Sequence, residues 1–465
     1  VLFVFVVIAV GLLLSITVNK IVFETKWEWV IIFMCLYLPF YISILSIVYQ
    51  ATASPFLVSI FQYLKEFVLL ISLLSFVFYQ RNLFYYPFRL QITDKLFLAF
   101  YGLGLVFLFL PIGPADMLTK ALYFKNVLMM GLLYFLGRNT NFSDLDYRFL
   151  FKSIMLIFVA ALGLNLFEKL TGLHFQNITG YALFNQAINN VEPSGNYGLT
   201  WTFETQTGGM RLASFFSDPL ELASSCLLGF SVGLIGFLSS KRHQSWIFII
   251  VILASIGSLF FAASRASFAS FFIMLIFIAV IFRLYGLIKL GVALFASFVI
   301  FVLFFANDEF YYFVVDTLTF ENASSVGHVI AWLEALNQML VAPLGSGLAT
   351  SGNVGSVSDE LRIGGENQFL VFGVQLGFLG MFLYILILGM GVWTGIKVFR
   401  NSQNTHIARV AFIAATVKVG LLLPLFTANA ELYAFVSWLT WWMVGISVKE
   451  YNALKYQKGP SLALG

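Results

Sequence analysis

Residues 211–238 read RLASFFSDPLELASSCLLGFSVGLIGFL, and this stretch decides the fold. From Pro219 onward it is one unalternated apolar run. About 20 such residues are what an α-helix needs to cross a hydrocarbon core. The strands of an outer-membrane barrel would instead alternate over segments of roughly ten. The residues before the run mark a helix start. Asp218 is a good N-cap, Pro219 suits the first helical position, and Glu221 three residues after the cap completes a capping-box pattern. Arg211 stands just ahead of this start, at the rim of a membrane.

The same reading extends over the whole chain. Of 465 residues, 60% are hydrophobic and 10% charged, and the mean hydropathy is +0.92, more apolar surface than a soluble domain needs. About thirteen apolar runs emerge, near 1–18, 30–49, 57–79, 95–111, 118–136, 149–168, 219–238, 246–262, 266–282, 286–306, 368–396, 407–426 and 431–448. The expected fold is all-α, a polytopic transmembrane helical bundle of about 12–13 spans. The 54 Phe and 20 Tyr suit a lipid-exposed bundle with rings at its interfaces. The net charge of +4 is spread over short loops and forms no stripe for nucleic acid. Cys35 and Cys226 lie in apolar runs, so neither a disulfide framework nor a cysteine metal site is expected. Val1 already lies within an apolar run, and no cleavable signal peptide is expected.

Two stretches break the pattern, 169–217 and 307–367, both long, polar and rich in Gly, Asn, Ser and Thr. Long loops in a bundle tend to be functional. They divide the chain into N-terminal helices (1–168), a first loop (169–217), further helices (218–306), a second loop (307–367), and C-terminal helices with a tail (368–465). If both loops lie on one side and the spans alternate, the opposite side receives 18 of the 26 Lys and Arg. The positive-inside rule makes that side cytoplasmic and turns both loops outward. Nucleotide donors are scarce there, so chemistry on that face must use an energy-rich bond already in the substrate. No internal repeat is evident, which disfavours a secondary transporter.

The outward face carries the candidate residues. Arg211 precedes one span, and Arg265 sits in the tight turn Ser264-Arg265-Ala-Ser267 between two others. Headgroup anchoring is the plain alternative for each. A guanidinium also suits phosphate, because its planar fork donates two hydrogen bonds and keeps its proton. In the second loop, Ser324 or Ser325 can cap a helix that places Val329, Leu333, Leu336 and Leu340 on one face and His328 in its first turn. The Gly-rich stretch after Pro343 allows a close backbone approach to a ligand, with a disordered loop tip as the equal alternative. Arg362 leads to Glu366 and Asn367 at the next span, where Glu366 is the best-placed general base and helix capping is the alternative. In the first loop, Tyr197 and Trp201 offer aromatic faces for sugar rings. The segment Thr200–Thr205 alternates as a hairpin strand would. Lys65, Glu66, Lys125, Lys418 and Glu431 are intramembrane charges. Lys65 and Glu66, being adjacent, are expected to find partners elsewhere.

In order and sidedness these pieces resemble the O-antigen polymerase/ligase superfamily of bacterial membrane glycosyltransferases. The matching parts are Arg211 to Pro219, the Ser264-Arg265 turn, Ser325 to Gly347, and Asn367 to Gly380, within residues 200–440. The resemblance implies a GT-C-like fold and an inverting glycosyltransferase in a bacterial inner membrane. It would be metal-independent, need no cofactor, and use an undecaprenyl-pyrophosphate-linked oligosaccharide as donor. Arg211 and Arg265 would hold the pyrophosphate, with Arg362, Asn367, Tyr197 and Trp201 as further substrate contacts. The family often has Arg where His328 stands and His where Glu366 stands, so both remain candidates for the base. Polymerase of a surface polysaccharide is the first expectation. Ligase to lipid A-core, and flippase or transporter of a lipid-linked glycan, are the alternatives. The lipid bilayer is a partner, and a chain-length regulator is a candidate partner.

Overall fold

Each of the thirteen apolar runs folds as helix. The computed structural model describes residues 1–80, 89–205, 208–241, 243, 245–306, 311, 314–315, 319, 323–352 and 362–457. Nine helices among them are long and apolar enough to cross a membrane. These are α1 (Leu2–Phe23), α2 (Trp27–Thr52), α3 (Pro55–Tyr79), α4 (Ile92–Phe109), α6 (Asp144–Thr171), α7 (Pro219–Ser239), α8 (Ser245–Ala262), α12 (Gln368–Asn401) and α13 (Thr405–Thr427). The remaining runs form α5 (Met117–Asn139), α9 (Arg265–Ile281), α10 (Gly286–Phe304) and α14 (Ala434–Gln457). A further helix, α11 (Ala323–Val341), belongs to the second long loop. No strand forms among the described residues, and only the isolated bridges Ser194–Leu199 and Glu204–Met210 occur.

Two helices that miss the apolar criterion, α5 and α14, pack against each other, and the C-terminal turns of α5 are buried there. Residues 435–448 of α14 are buried throughout. Glycine brings the two backbones together: a Cβ on Gly137 would lie 2.1 Å from the Trp442 carbonyl oxygen, and one on Gly445 would lie 2.2 Å from that of Tyr134. Small residues at crossings are how helices pack where lipid supplies no hydrophobic drive. Those buried turns have no need of lipid-soluble side chains, and they carry Arg138. Its guanidinium donates to both carboxylate oxygens of Asp94 at 3.0 Å, and Tyr134 Oη donates to Asp94 Oδ1 at 2.5 Å. Arg138 and Asp94 are both nearly sealed from solvent. The fork joins α4 to α5 at one end of the bundle, where Lys449 also donates to the Thr140 carbonyl.

At about 1.5 Å per residue, α12 is too long for a straight span. It breaks at Gly377, whose φ of 72° only glycine adopts without strain. The segment after α11 docks into that break. Phe378 N donates to Pro343 O at 3.1 Å, Ser346 N to Val374 O at 2.7 Å, and Gly347 N to Gln375 O at 3.2 Å. This corrects the ligand reading of the glycines here. Gly345 and Gly347 approach the α12 backbone and the Ile112 carbonyl, not a ligand. The rest of the Gly-rich stretch, residues 353–361, lies outside the described residues, as do Arg81, Arg242 and Lys458.

The intramembrane charges pair with one another. Lys65 Nζ reaches the adjacent Glu66 at 3.4 Å after all, while also donating to Tyr41 Oη at 2.7 Å; Lys125 meets the other Glu66 oxygen at 3.1 Å. The shorter contacts are thus the ones to partners elsewhere, Tyr41 for Lys65 and Lys125 for Glu66, as the sequence indicates. Lys418 meets Glu431 at 3.6 Å and lies 3.8 Å over the Trp441 ring. Glu431 also accepts from Tyr384 Oη at 2.5 Å, from Trp441 Nε1 at 2.9 Å and from Ser437. With three hydrogen bonds and this ion pair, Glu431 anchors the turn Ala430–Leu432 to the bundle.

Candidate functional site

Arg211 is held by its backbone before its side chain does anything. Its N–H donates to Phe203 O at 2.9 Å, and the next residue, Leu212, donates to Phe261 O at 3.0 Å. The guanidinium Nε then donates to Ala262 O at 3.1 Å. Ala262 is the last residue of α8, where exposed carbonyls favour a cation. The chain turns through Ala263 and Ser264, which caps α9, and presents Arg265 at the first position of that helix. The turn therefore ties both arginines to one place. Burial pushes the Arg211 guanidinium below its ordinary pKa; Asp218 and Tyr433 oppose the shift, and Arg265 adds to it. Two like charges thus sit within range of each other, with Asp218 as the nearer counter-charge to Arg211.

Asp218 caps α7 as its sequence indicates, accepting from Leu220 N at 2.7 Å and Glu221 N at 2.9 Å. Burial raises its pKa, while these amides and Arg211 lower it. The capping box does not close as expected. Glu221 instead accepts from the Ser217 hydroxyl and from the backbone of Ser217 and Phe435, so it links α7 to the start of α14. The reason is proximity, since α14 packs against the same end of α7.

Tyr433, between the Ala430–Leu432 turn and α14, is the residue that sequence reasoning missed. Its phenol lies within electrostatic range of Asp218, Glu221, Arg211 and Glu366. It lies within range of Arg211 on one side and of Glu366 in the second loop on the other. The available signal was a hydroxyl-bearing ring in the polar connection 428–433, on the same face as both loops by the alternation of spans.

Glu366 meets His328: the Nδ1 of the histidine contacts Glu366 Oε2. Glu366 remains 42% exposed on its side chain, so the carboxylate is open to a ligand. The His328 ring stacks on Trp332, 6.3 Å between centroids. Both proposed capping serines fall inside α11, which begins at Ala323, so His328 stands in the second turn. The expected apolar face also turns the other way. Leu333 is 60% and Leu340 73% exposed, whereas Trp332, Ala335 and Met339 pack on Leu370 and Val374 of α12.

The remaining candidates separate. Asn367 is buried and caps α12, accepting from Phe369 N at 3.0 Å and Leu370 N at 3.2 Å. Its side-chain oxygen is thus committed to the helix. Arg362 is half-buried, next to Ile363, whose N–H donates to Thr350 O at 2.9 Å. Tyr197 belongs to a small core of the first loop with Leu199, Phe203 and Ala213, its hydroxyl 3.3 Å from Gly208 O. Trp201 is an exposed ring at the surface of the same loop. Its segment, Trp201–Phe203, is a 3₁₀ turn and not the expected hairpin strand, because Phe203 turns inward to the loop core.

The arrangement brings two cations, a phenol, the capping acid Asp218 with its neighbour Glu221, and a carboxylate–imidazole pair to one end of an apolar helical bundle. No family model and no curated protein matches this chain.

Proposed function

We propose that the protein is a glycosyltransferase acting at the outer face of a bacterial inner membrane, a polymerase of a surface polysaccharide. The donor is a growing glycan on undecaprenyl pyrophosphate, and the acceptor is the next lipid-linked repeat unit. An acceptor hydroxyl attacks the anomeric carbon, and the bond from that carbon to the pyrophosphate oxygen breaks with inversion. Glu366, held by His328, takes the proton, and Arg211 and Arg265 receive the charge that grows on the departing diphosphate.

The observation that carries this reading is the pairing of the arginines across the Ala262–Arg265 turn, within range of Tyr433 and, through it, of Glu366. A preorganised pair of guanidiniums at a bilayer rim suits a lipid diphosphate better than a single headgroup, since each fork binds oxygens bidentately. The test is incubation of the purified protein with lipid-linked repeat units and no other protein. A ladder of products supports the polymerase. Transfer that occurs only when lipid A-core is added would assign the ligase instead.

A further inference from the structure

The first section of α12, residues 368–376, does not run in line with the rest of that helix. Along a straight helix about 18 Å would separate positions 372 and 384. The rings of Phe372 and Tyr384 are instead 4.8 Å apart, and those of Phe369 and Tyr384 5.6 Å. The break at Gly377 therefore turns residues 368–376 back into the bundle. Phe372 also meets Phe100, 5.1 Å between ring centroids, and Phe100 stands midway along the span α4. Residues 368–376 thus lie within the thickness of the bundle and not above it.

Helix α11 follows them there. Trp332, Ala335 and Met339 pack on Leu370 and Val374, and the Trp332 ring lies 6.5 Å from that of Phe426, in the last turn of the span α13. Just past the end of α11, Leu344 touches the break itself: a Cβ on Gly377 would lie 2.5 Å from its carbonyl carbon. From Trp332 onward, then, this loop helix is set against spanning helices. Its other face is uncovered and apolar. Ile330, Leu333, Leu340, Val341 and Leu344 are exposed, the last three by 73%, 72% and 84%. Two residues past the break, Leu379 of α12 is exposed as well, and so is Phe382. On a spanning helix such side chains face lipid. An apolar patch of this kind marks a protein partner or a membrane, and continuity with α12 favours the membrane. Glu334 and Asn337 are the exposed polar side chains between Ile330 and Leu344. They suit the boundary between headgroups and acyl chains, not the bilayer centre.

We propose that α11 is a membrane-surface helix, and that acyl chains of the leaflet on the side of the two long loops cover its outer face from Ile330 to Leu344. The second loop is then anchored in lipid and does not stand free above it. His328, one turn before Trp332, is held with Glu366 at headgroup depth. A lipid-linked group meets the pair there without leaving the bilayer. That last consequence rests on the transferase reading; the lipid contact rests on packing alone.

The experiment is spin labelling of the full chain in phosphatidylethanolamine–phosphatidylglycerol vesicles. Leu333→Cys, Leu340→Cys and Leu344→Cys are each labelled with a nitroxide, with thermal melting confirming that each variant folds. Cys35 and Cys226 are buried, and the unsubstituted protein gives the background. Leu379→Cys on the spanning helix and Trp201→Cys on the first loop, both exposed, serve as references. Collisions with oxygen, which concentrates in lipid, are compared with collisions with a water-soluble nickel chelate. All three positions should favour oxygen, as Leu379 does, while Trp201 favours nickel. Nickel prevailing at the three positions would put this face in water and overturn the proposal. Few collisions with either reagent would put a second copy or another protein on it, and overturn it equally. A product ladder from a protein whose α11 labels meet nickel would sink the lipid contact and spare the polymerase; labels in lipid with no ladder would do the reverse.

Discussion

Arg211→Ala should slow elongation by about two orders of magnitude. Among the described residues the Arg211 side chain makes one hydrogen bond, from Nε to Ala262 O at 3.1 Å. That bond aims the guanidinium and leaves its terminal nitrogens for a ligand. Losing one preorganised donor to a developing anion costs about 3 kcal/mol, or roughly 10²-fold in turnover. Arg211→Lys keeps the charge but loses both the fork and the Nε anchor, so it should recover about tenfold over alanine. Arg265→Ala should match Arg211→Ala. The double variant should be little slower than either alone, because both act on one leaving group. Stability should fall by only about 1 kcal/mol, the worth of a single hydrogen bond. The assay is the rate of ladder formation from lipid-linked repeats, with melting temperature as control. Either alanine variant elongating within about threefold of wild type at unchanged stability would refute the leaving-group site.

Other consequences follow from particular contacts. Glu366→Gln should lower turnover by about 10²–10⁴-fold, the range of a general base, and His328→Ala by about tenfold, since the imidazole only orients the carboxylate; steady-state rates of both variants decide the assignment, and two active variants would remove it. Lys418→Met or Glu431→Gln alone should destabilise by about 3–5 kcal/mol, because each strands a buried charge, while the double variant recovers much of the loss; chemical denaturation in micelles checks this. His174 is fully buried, neither ring nitrogen has a hydrogen-bond partner among the described residues, and burial lowers its pKa from 6.5 to about 4. Protons therefore bind the unfolded loop first, so stability is full above pH 6.5 and falls by up to about 3 kcal/mol as pH drops toward 4. Hydrogen exchange in residues 175–205 should quicken between pH 7 and 5 in wild type and not in His174→Phe.

The helices were legible because lipid imposes length and apolarity on every span, as Pro219–Ser239 shows by both run and cap. The convergence of Arg211 and Arg265 was legible too, since alternation puts both at one end. What was not legible depends on packing between distant segments. The Pro343–Gly347 segment reads as a glycine-rich binding loop until the break at Gly377 is seen to receive it. Helix α11 is apolar on more than one face, so its pattern alone does not choose between Met339 inward and Leu340 outward. Tyr433 becomes central only when α7, α12 and α14 meet. Asn367 reads as a ligand contact beside Glu366, yet the open amides of α12 claim it first.

The most direct measurement counts lipid pyrophosphate. The purified protein is given lipid-linked repeat units in metal-free detergent solution, and released undecaprenyl pyrophosphate is quantified against chain length. The account predicts one lipid pyrophosphate freed for each repeat added, with release abolished together with elongation in Arg211→Ala and Arg265→Ala. Glycan that crosses a membrane without any release of pyrophosphate, or release that persists in both variants, would contradict it.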